Sequence, residues 1–389
     1  MLSLMTGYLL IDLIGTAAVC NAFLWCLLLF SFSRALARGA ARSAPRPPSE
    51  PLPLVSVIIA ARNEEALIGE TLQRLLAVRW PRERLEIIVA DDRSTDATGA
   101  VTDGIAAVSG GTVRRCEITS VPDGWTGKKW ALHSAIESAR GDIILTTDAD
   151  CLVGPEWIRV MTAPLLADGG PELVGGPVDY ENASLWRWPR RLLRFEFLSL
   201  SLTAAGSLAR TVPLVISAQN MAFTRDLYFR CGGHEPRAAI PTGDDVFLLF
   251  AADAIGAGTG YVLDREAAVT TAPPATARAF YHQRTRWASK GLRYPLRPLL
   301  VSGLAWLVNA LLLLAAVATL TLTPALWPAM VLALGLKAAG ELALLRHGRD
   351  LGIDHLALDY LTGLPLHIVY VTAIGLTGAL GLFRWKDVP

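Results

Sequence analysis

Apolar residues in this chain fall into long uncharged stretches toward its two ends and short β-branched runs between them. The first stretch, Leu13 to Ser33, holds no charged residue, and Asp12 is the only one before it. Crossing a hydrocarbon core takes about 20 helical residues, so this stretch is long enough. It lacks a basic leading segment and a small-residue cleavage site, and reads as a retained anchor over 1–33. The second stretch starts at Pro298 and meets no charge until Lys337, too long for one span. Pro324 and Pro328 divide it into spans near 299–322 and 326–345, and a last span runs from Tyr360 to Phe383.

The middle of the chain, 54–275, predicts a folded α/β domain. Leu54–Ala60, Leu85–Ala90 and Asp142–Thr147 are nearly continuous apolar, β-branched runs, the pattern of parallel strands buried on both faces. Glu64–Val78 carries Leu67, Leu72, Leu75 and Leu76 at helical spacing, and Asp96–Val108 and Trp130–Ser138 repeat the alternation. Strand–helix–strand order implies a doubly wound sheet, whose ligands bind beyond the carboxyl ends of its strands.

Charge adds a topology. Arg34, Arg38, Arg42 and Arg46 follow the anchor, so the positive-inside rule makes that side cytoplasmic and puts the N-terminus outside. The linker 34–53 ends in a proline-rich, stiff spacer, Ala44–Pro53. Arg346 and Arg349 are then cytoplasmic, whereas Arg384 and Lys386 in the tail 384–389 fall outside, against the rule. Lys337 and Glu341 lie one helical turn apart. They read as an intramembrane relay or, more simply, as a neutralised pair near the interface.

Composition narrows the classes. With 52% hydrophobic and 18% charged residues, the chain is richer in apolar groups than soluble domains, where charged residues make up about 25%. That excludes a disordered chain. The balance of 36 basic and 35 acidic residues, +1, gives no reason to expect nucleic acid as a partner. Five cysteines, without CxxC spacing, argue against a disulfide framework and fit a reducing cytosol.

The chemistry sits where the strands end. The first run leads into Ala61-Arg62-Asn63-Glu64-Glu65, the second into Asp91-Asp92-Arg93-Ser94-Thr95-Asp96, and the third into Asp148-Ala149-Asp150. Acidic groups at neighbouring strand ends repel unless something positive lies between them. A divalent cation with oxygen ligands, Mg2+ or Mn2+, answers that need beside a phosphorylated substrate. Ser94 and Asp96 read as turn and cap residues. Asp148 and Asp150 follow a buried strand with no capping pattern and read as ligands.

These three blocks, VSVIIAARNEE, IIVADDRSTDAT and GDIILTTDAD, resemble in order and spacing the nucleotide-sugar domain of inverting family 2 glycosyltransferases, over about 100 residues. The resemblance implies the Rossmann-like GT-A fold and a nucleotide-sugar donor, UDP-linked by the family's habit. Asp92, beside Asp91, then holds the uracil edge, and Asn63 and Glu64 match the family's NE pair near the nucleoside. Ala60 stands where the family usually has Pro or Thr. Asp148 and Asp150 match its DxD, with the metal on the second carboxylate. Lys128, in Gly124-Trp125-Thr126-Gly127-Lys128-Lys129-Trp130, matches a lysine that contacts the pyrophosphate. A lysine where a Gly-flanked loop opens a helix can reach phosphate oxygens; Lys129 reads as solvated surface. Thr242-Gly243-Asp244-Asp245 resembles the family's acidic pair. Asp245 is then the general base, with Asp244 beside it on the acceptor side; otherwise Asp245 caps a helix at 246–252.

Gln283-Arg284-Thr285-Arg286-Trp287 matches the QxxRW motif of the membrane-integrated branch, which includes cellulose, chitin and hyaluronan synthases and hopene-associated glycosyltransferases. There Gln283 and Arg286 would touch the donor diphosphate and Trp287 would line the acceptor end. An arginine fork beside an indole suits a phosphate next to a sugar ring. The segment 276–298 also reads as a basic interface helix, with Arg278, Arg284, Arg293 and Arg297 meeting headgroups. The mixed Trp, Phe and Arg of 186–210 predict a second, in-plane helix at the bilayer surface. Gln219 and Asn220 are candidates for the acceptor pocket, and His133, His234 and His282 have no ligand spacing.

The expectation is a multi-pass cell-membrane protein with a cytoplasmic GT-A domain, about four transmembrane helices and interfacial helices. It would pass a sugar from a nucleotide donor to a hydroxyl of a lipid or lipid-linked acceptor, among membrane lipids. A processive polysaccharide synthase and a catalytically inactive membrane scaffold are the other readings. The helices are few for a polymer channel, and the intact acidic blocks argue against a scaffold.

Overall fold

The first apolar stretch forms one helix, α1 (Leu2–Ala37), and the β-branched runs pair side by side as strands. In this computed structural model, residues 2–39, 51–180, 188–352 and 356–383 are described. Arg42, Arg46 and most of the proline spacer therefore lie outside the described residues, as do Trp186, Arg384 and Lys386. Along the chain follow β1 (Val55–Ala61), α2 (Ile68–Leu76), β2 (Leu85–Asp92), α3 (Thr98–Val108), β3 (Val113–Ile118), α4 (Gly127–Ser138) and β4 (Ile143–Asp148). After these come β5 (Cys151–Val153), α5 (Trp157–Thr162), β6 (Leu173–Gly175), β7 (Val178–Tyr180), α6 (Trp188–Leu208), β8 (Met221–Thr224) and α7 (Arg225–Arg230). The order ends with α8 (Asp244–Ala254), β9 (Thr259–Tyr261), β10 (Val269–Thr271), α9 (Ala277–Ser289), α10 (Leu296–Thr321), α11 (Trp327–Leu345) and α12 (Leu356–Ala379). They divide into two units, Gly39–Pro273 with Asp350–Gly352, and the two ends of the chain.

The first unit is built on a seven-stranded sheet, ordered β3-β2-β1-β4-β8-β6-β9. β1 pairs in parallel with β2 and β4, and β3 adds a parallel edge. The antiparallel strand β8 then changes the sheet from parallel to mixed. Alternate residues carry the two faces, as a period of two requires. Val55, Val57 and Ile59 of β1, with Ile87 and Val89 of β2, are buried with Ile68, Leu72 and Leu75 of α2 and Trp157 and Met161 of α5. α4 packs on β1 and β2 as well, burying Ala131, Ala135 and Ile136. β3 (VRRCEI) escapes a search for continuous apolar runs, because as an edge strand it buries only its terminal Val113 and Ile118. A second, three-stranded sheet, β5-β10-β7, follows the acidic turn after β4.

In the other unit the described residues hold four helical segments long and apolar enough to cross a membrane: Ile11–Ala37 in α1, Leu296–Thr321 of α10, Pro324–Arg349, which is α11 with parts of the short turns that flank it, and Leu358–Ala379 in α12. The division at Pro324 and Pro328 is real in space. Thr323 caps a short 3-10 turn, Pro324–Leu326, from which α11 starts. α1 and α11 pack closely along small residues, as helices do where apolar solvent gives them little drive to associate. A Cβ on Gly340 would come within 2.8 Å of Cys26 Cα. Lys337 and Glu341 form the neutralised pair that their spacing suggests. Lys337 is fully buried and bonds to Glu341, whose Oε1 also accepts a hydrogen bond from Trp25 Nε1 of α1 at 3.0 Å. Two costly charges thus satisfy one another and fasten α11 to α1.

α9, which carries QRTRW, belongs to this same unit and packs on α12. Thr285 and Thr377 hydroxyls lie 3.4 Å apart, and Gly378 leaves room for Ala288 where a Cβ would approach to 2.5 Å. Arg284 does not meet headgroups. It is buried, with its guanidinium 4.2 Å from the Trp287 ring centroid and 5.0 Å from that of Phe280.

Candidate active site

The carboxyl ends of β1, β2 and β4 are adjacent because Ala60 pairs with both Ala90 and Asp148, and Ala61 with Asp91. The order reverses at β1, and helices on opposite faces open a crevice at such a point. Asn63 turns the chain there with φ +55°, a region asparagine tolerates. Its Oδ1 accepts from Thr95 N at 2.8 Å, while its own N–H donates to Ser94 Oγ at 3.0 Å. Asp96 accepts from Thr98 N at 3.0 Å and from Glu65 N at 3.1 Å, the turn role its sequence position suggests. The loops after β1 and β2 are thereby laced together.

Asp91 and Asp92 end β2 and are both buried. Asp91 meets Arg115 at 3.4 Å and Ser94 N at 3.2 Å. Asp92 is held by Arg93 Nε at 2.9 Å, with Arg62 at 3.9 Å. These two arginines beside the candidate base-reading carboxylate were not singled out from sequence, although each adjoins a named motif. Gly127 is required here. A Cβ on it would lie 2.3 Å from Asp92 Oδ2, so any larger residue at the start of α4 would have to displace that buried carboxylate.

Asp148 closes β4 and Asp150 opens the turn into β5. Oxygens of both and Cys151 Sγ lie within 4.8 Å of one another. Thr271 Oγ1 on β10 donates to Asp150 Oδ2 at 3.1 Å, and Thr71 Oγ1 braces the turn by donating to Ala149 O at 2.8 Å. Burial, then the nearby Asp148 charge, pushes the Asp150 carboxyl above the ordinary carboxylate range. Two carboxylates that resist sharing their charge are what a divalent cation relieves. Burial also pushes the Cys151 thiol well up, so the donors available are the hard oxygens that suit Mg2+ or Mn2+. The residues fit the ion.

Lys128 completes the polar surface. Its Nζ is 2.9 Å from Asp148 Oδ1 and 3.5 Å from Asp244 Oδ2, linking the DxD turn to the acidic pair. α8 begins at Asp244 after Gly243, whose φ of +83° makes the turn. Asp245 is therefore not the cap; it lies in the first turn, half-buried, with Oδ1 accepting Val246 N at 2.7 Å. Acidic groups are favoured there by the helix dipole. Lys129 departs from expectation. It is buried and donates to Arg237 O at 2.6 Å.

Ala60, Asn63, Glu64, Asp91, Asp92, Lys128, Asp148, Asp150, Asp244 and Asp245 thus all belong to the sheet unit, whereas Gln283, Arg286 and Trp287 belong to the membrane-helix unit. Asn220 is no pocket residue. It is fully buried and donates to Pro177 O and Ala267 O, both at 2.7 Å, while accepting from Trp157 Nε1 at 2.9 Å. Gln219 Nε2 reaches Cys151 Sγ at 3.4 Å. His133 bonds to Tyr228 OH at 2.9 Å, and burial pulls His234 down to about 4.

The profile described as glycosyltransferase-like family 2 matches residues 51–290. The chain belongs to that family. Among its relatives, the Bacillus subtilis protein named "Probable glycosyltransferase YdaM" is 29% identical over 245 residues, 62% of this chain and 56% of that protein. A beta-monoglucosyldiacylglycerol synthase of Synechocystis is 36% identical over 111 residues, 28% of this chain and 22% of its own. An undecaprenyl-phosphate 4-deoxy-4-formamido-L-arabinose transferase of Pseudomonas paraeruginosa is 34% identical over 149 residues, 37% and 41% respectively. The aligned parts of this family 2 chain thus span about half or less of these relatives. A mannosyltransferase of Pyrobaculum calidifontis, solved with GDP-Man and Mn2+, aligns over 97% of this chain and 100% of its own, with a TM-score of 0.58 at 22% identity. That likeness is one of fold, and the fold is GT-A.

Proposed function

We propose that this chain is an inverting glycosyltransferase that moves a sugar from a nucleoside-diphosphate donor, UDP-linked by the family resemblance, to a hydroxyl of a lipid or lipid-linked acceptor at the cytosolic membrane face. The observation that carries the reading is Lys128, whose ammonium joins the DxD carboxylate Asp148 to Asp244 of the acidic pair. One cation between the two acidic segments puts the groups needed for a departing diphosphate next to those needed for an attacking hydroxyl. The four helices long and apolar enough to span a membrane among the described residues support a lipid acceptor, and two relatives carry names with lipid acceptors.

In this reading Asp92 receives the base edge, and Asn63 and Glu64 bound the nucleoside side. Lys128 meets the diphosphate as its charge grows, stabilising the transition state more than the ground state. Asp245 accepts the proton of the acceptor hydroxyl as that oxygen attacks C1 from the face opposite the diphosphate, which inverts the anomeric centre. Bound at Asp148 and Asp150, Mg2+ or Mn2+ would supply Lewis-acid neutralisation of the leaving group. Gln283, Arg286 and Trp287 enter on the resemblance alone, as diphosphate and acceptor groups.

The test is transfer by the purified full-length chain in detergent, with Mn2+. Donors are UDP-glucose, UDP-N-acetylglucosamine and GDP-mannose; acceptors are diacylglycerol and undecaprenyl phosphate. A glycolipid carrying one or a few sugars on a hydroxyl is expected. A long product from donor alone would establish the polymer synthase instead. Absence of both transfer and metal-dependent nucleotide binding would establish the scaffold.

A further inference from the structure

Lys129 is a buried cation that the proposed reaction does not use. Only 2% of the residue is exposed, and removing an ammonium from water is costly unless its donors are engaged. An apolar side chain would fill the same space at lower cost. The partners explain what the charge does. Nζ donates to Arg237 O at 2.6 Å and lies 5.5 Å from the Phe247 ring centroid. Arg237 precedes the acidic pair and Phe247 follows it, three residues into the helix that Asp244 and Asp245 open. The two contacts therefore bracket Asp245 along the chain.

Neighbouring residues of the same helical turn reinforce the arrangement. Thr126 N–H donates to Ala238 O at 3.1 Å, and Lys128 reaches Asp244. Between Ala238 and Asp244 the chain must turn through Gly243, held at φ +83°. A short segment with such a bend can hold a carboxylate in place only if both of its flanks are anchored. The start of α4 supplies the anchors, and it also presents Lys128 to Asp148.

We infer that Lys129 is a positioning residue: it fastens the segment bearing Asp245 to the helix bearing Lys128, so that base and diphosphate-binding lysine keep a fixed separation. The inference rests on the reading of Asp245 as general base, and extends it to a residue that touches neither donor nor acceptor. Misplacing a reacting group by about 1 Å can cost about 100-fold in rate, so the loss should appear in kcat and spare nucleotide binding.

The experiment compares full-length wild type, Lys129→Met, Lys129→Arg and Asp245→Asn in detergent. Three quantities are read: amide hydrogen exchange of peptides covering 237–250, the Kd of UDP with Mn2+, and kcat and donor KM with diacylglycerol, the hydroxyl acceptor, and the donor that wild type uses fastest with it. Lys129→Met keeps the length of the stem and removes the charge. It should speed exchange across 237–250, leave Kd and KM within about twofold, and lower kcat by about 10- to 100-fold. Lys129→Arg, which can still donate to the carbonyl, should recover most of the rate. Wild-type kcat and exchange in folded Lys129→Met, with Asp245→Asn inactive, would overturn the inference and leave the reading intact. An equal loss of UDP affinity would overturn it too, by making Lys129 a donor-site residue. Wild-type turnover in Asp245→Asn would overturn the reading itself, whatever Lys129 does. Should Lys129→Met not fold, Lys129→Gln, neutral and one bond too short to reach Arg237 O, carries the same decision: a reduced rate per folded molecule supports positioning, and an unchanged rate overturns it.

Discussion

Lys128 Nζ lies 2.9 Å from Asp148 Oδ1, an ion pair that joins the first turn of α4 to the end of β4. Both side chains are more than a quarter exposed, so water screens the pair and its worth to the fold is at most about 1 kcal/mol. In the proposed reaction its worth would be larger, because a preorganised cation acts on charge that appears only in the transition state. Lys128→Met should therefore leave thermal unfolding nearly unchanged while lowering turnover by about 100- to 1000-fold. Melting curves and steady-state kinetics on the same preparation check both halves.

Asp150→Asn separates metal binding from folding. The folded-state carboxyl of Asp150 is raised by burial and by Asp148, so the folded chain holds that proton more tightly than the unfolded one. Ionising it costs stability as pH rises from the ordinary carboxylate range through the raised value. With EDTA at pH 7.5, the Asn variant should be at least as stable as wild type. With Mn2+, wild type should gain stability and the variant should not. Scanning calorimetry with and without Mn2+ would show the difference, and a variant that still responds to Mn2+ would remove Asp150 from the ligand set.

Asp245→Asn should lower kcat by about 100- to 10,000-fold for a hydroxyl acceptor and leave UDP binding unchanged. A phosphate acceptor offers an oxygen that is already ionised, so the variant would keep its rate with undecaprenyl phosphate. Comparing the two acceptors tests the base and the acceptor chemistry together.

His234 is buried beside Tyr228, edge-on at 5.3 Å between ring centroids, and burial lowers it from 6.5 to about 4. Between those values the unfolded chain binds the proton and the folded one does not, so stability rises with pH across that window. The full difference amounts to about 3 kcal/mol. Unfolding by denaturant between pH 4 and 7 should show this slope in wild type and lose it in His234→Gln.

Arg284→Lys should cost about 1–2 kcal/mol, because a compact ammonium cannot stack between Phe280 and Trp287 as the planar guanidinium does. Thermal unfolding in detergent measures this, and a melting temperature equal to wild type would mean that the stacking carries no stability.

Periodicity and local chemistry were enough to read much of this protein from its residues. Continuous β-branched runs can only be buried strands, so β1, β2 and β4 were legible. So were the four apolar helices, whose length alone answers to bilayer thickness. The ordered acidic blocks carried the resemblance to the family, and they lie at or just beyond the carboxyl ends of their strands, where an α/β sheet presents ligands. Tertiary structure decided what depends on partners distant in the chain. β3 carries polar residues through its middle and buries only its two ends, because it lies at the sheet's edge. Lys129 follows Lys128 directly, yet successive helical residues point about 100° apart, which sends one ammonium to Asp148 and the other into the core against Arg237. Asn220 and Arg284 looked like site and surface groups until Trp157 in one case and Trp287 in the other enclosed them. Lys337 and Glu341 announced a pair by spacing, but only the packing of α1 on α11 brought Trp25 to them. A polar side chain's role is set by who desolvates it, and desolvation is a property of the fold rather than of the local sequence.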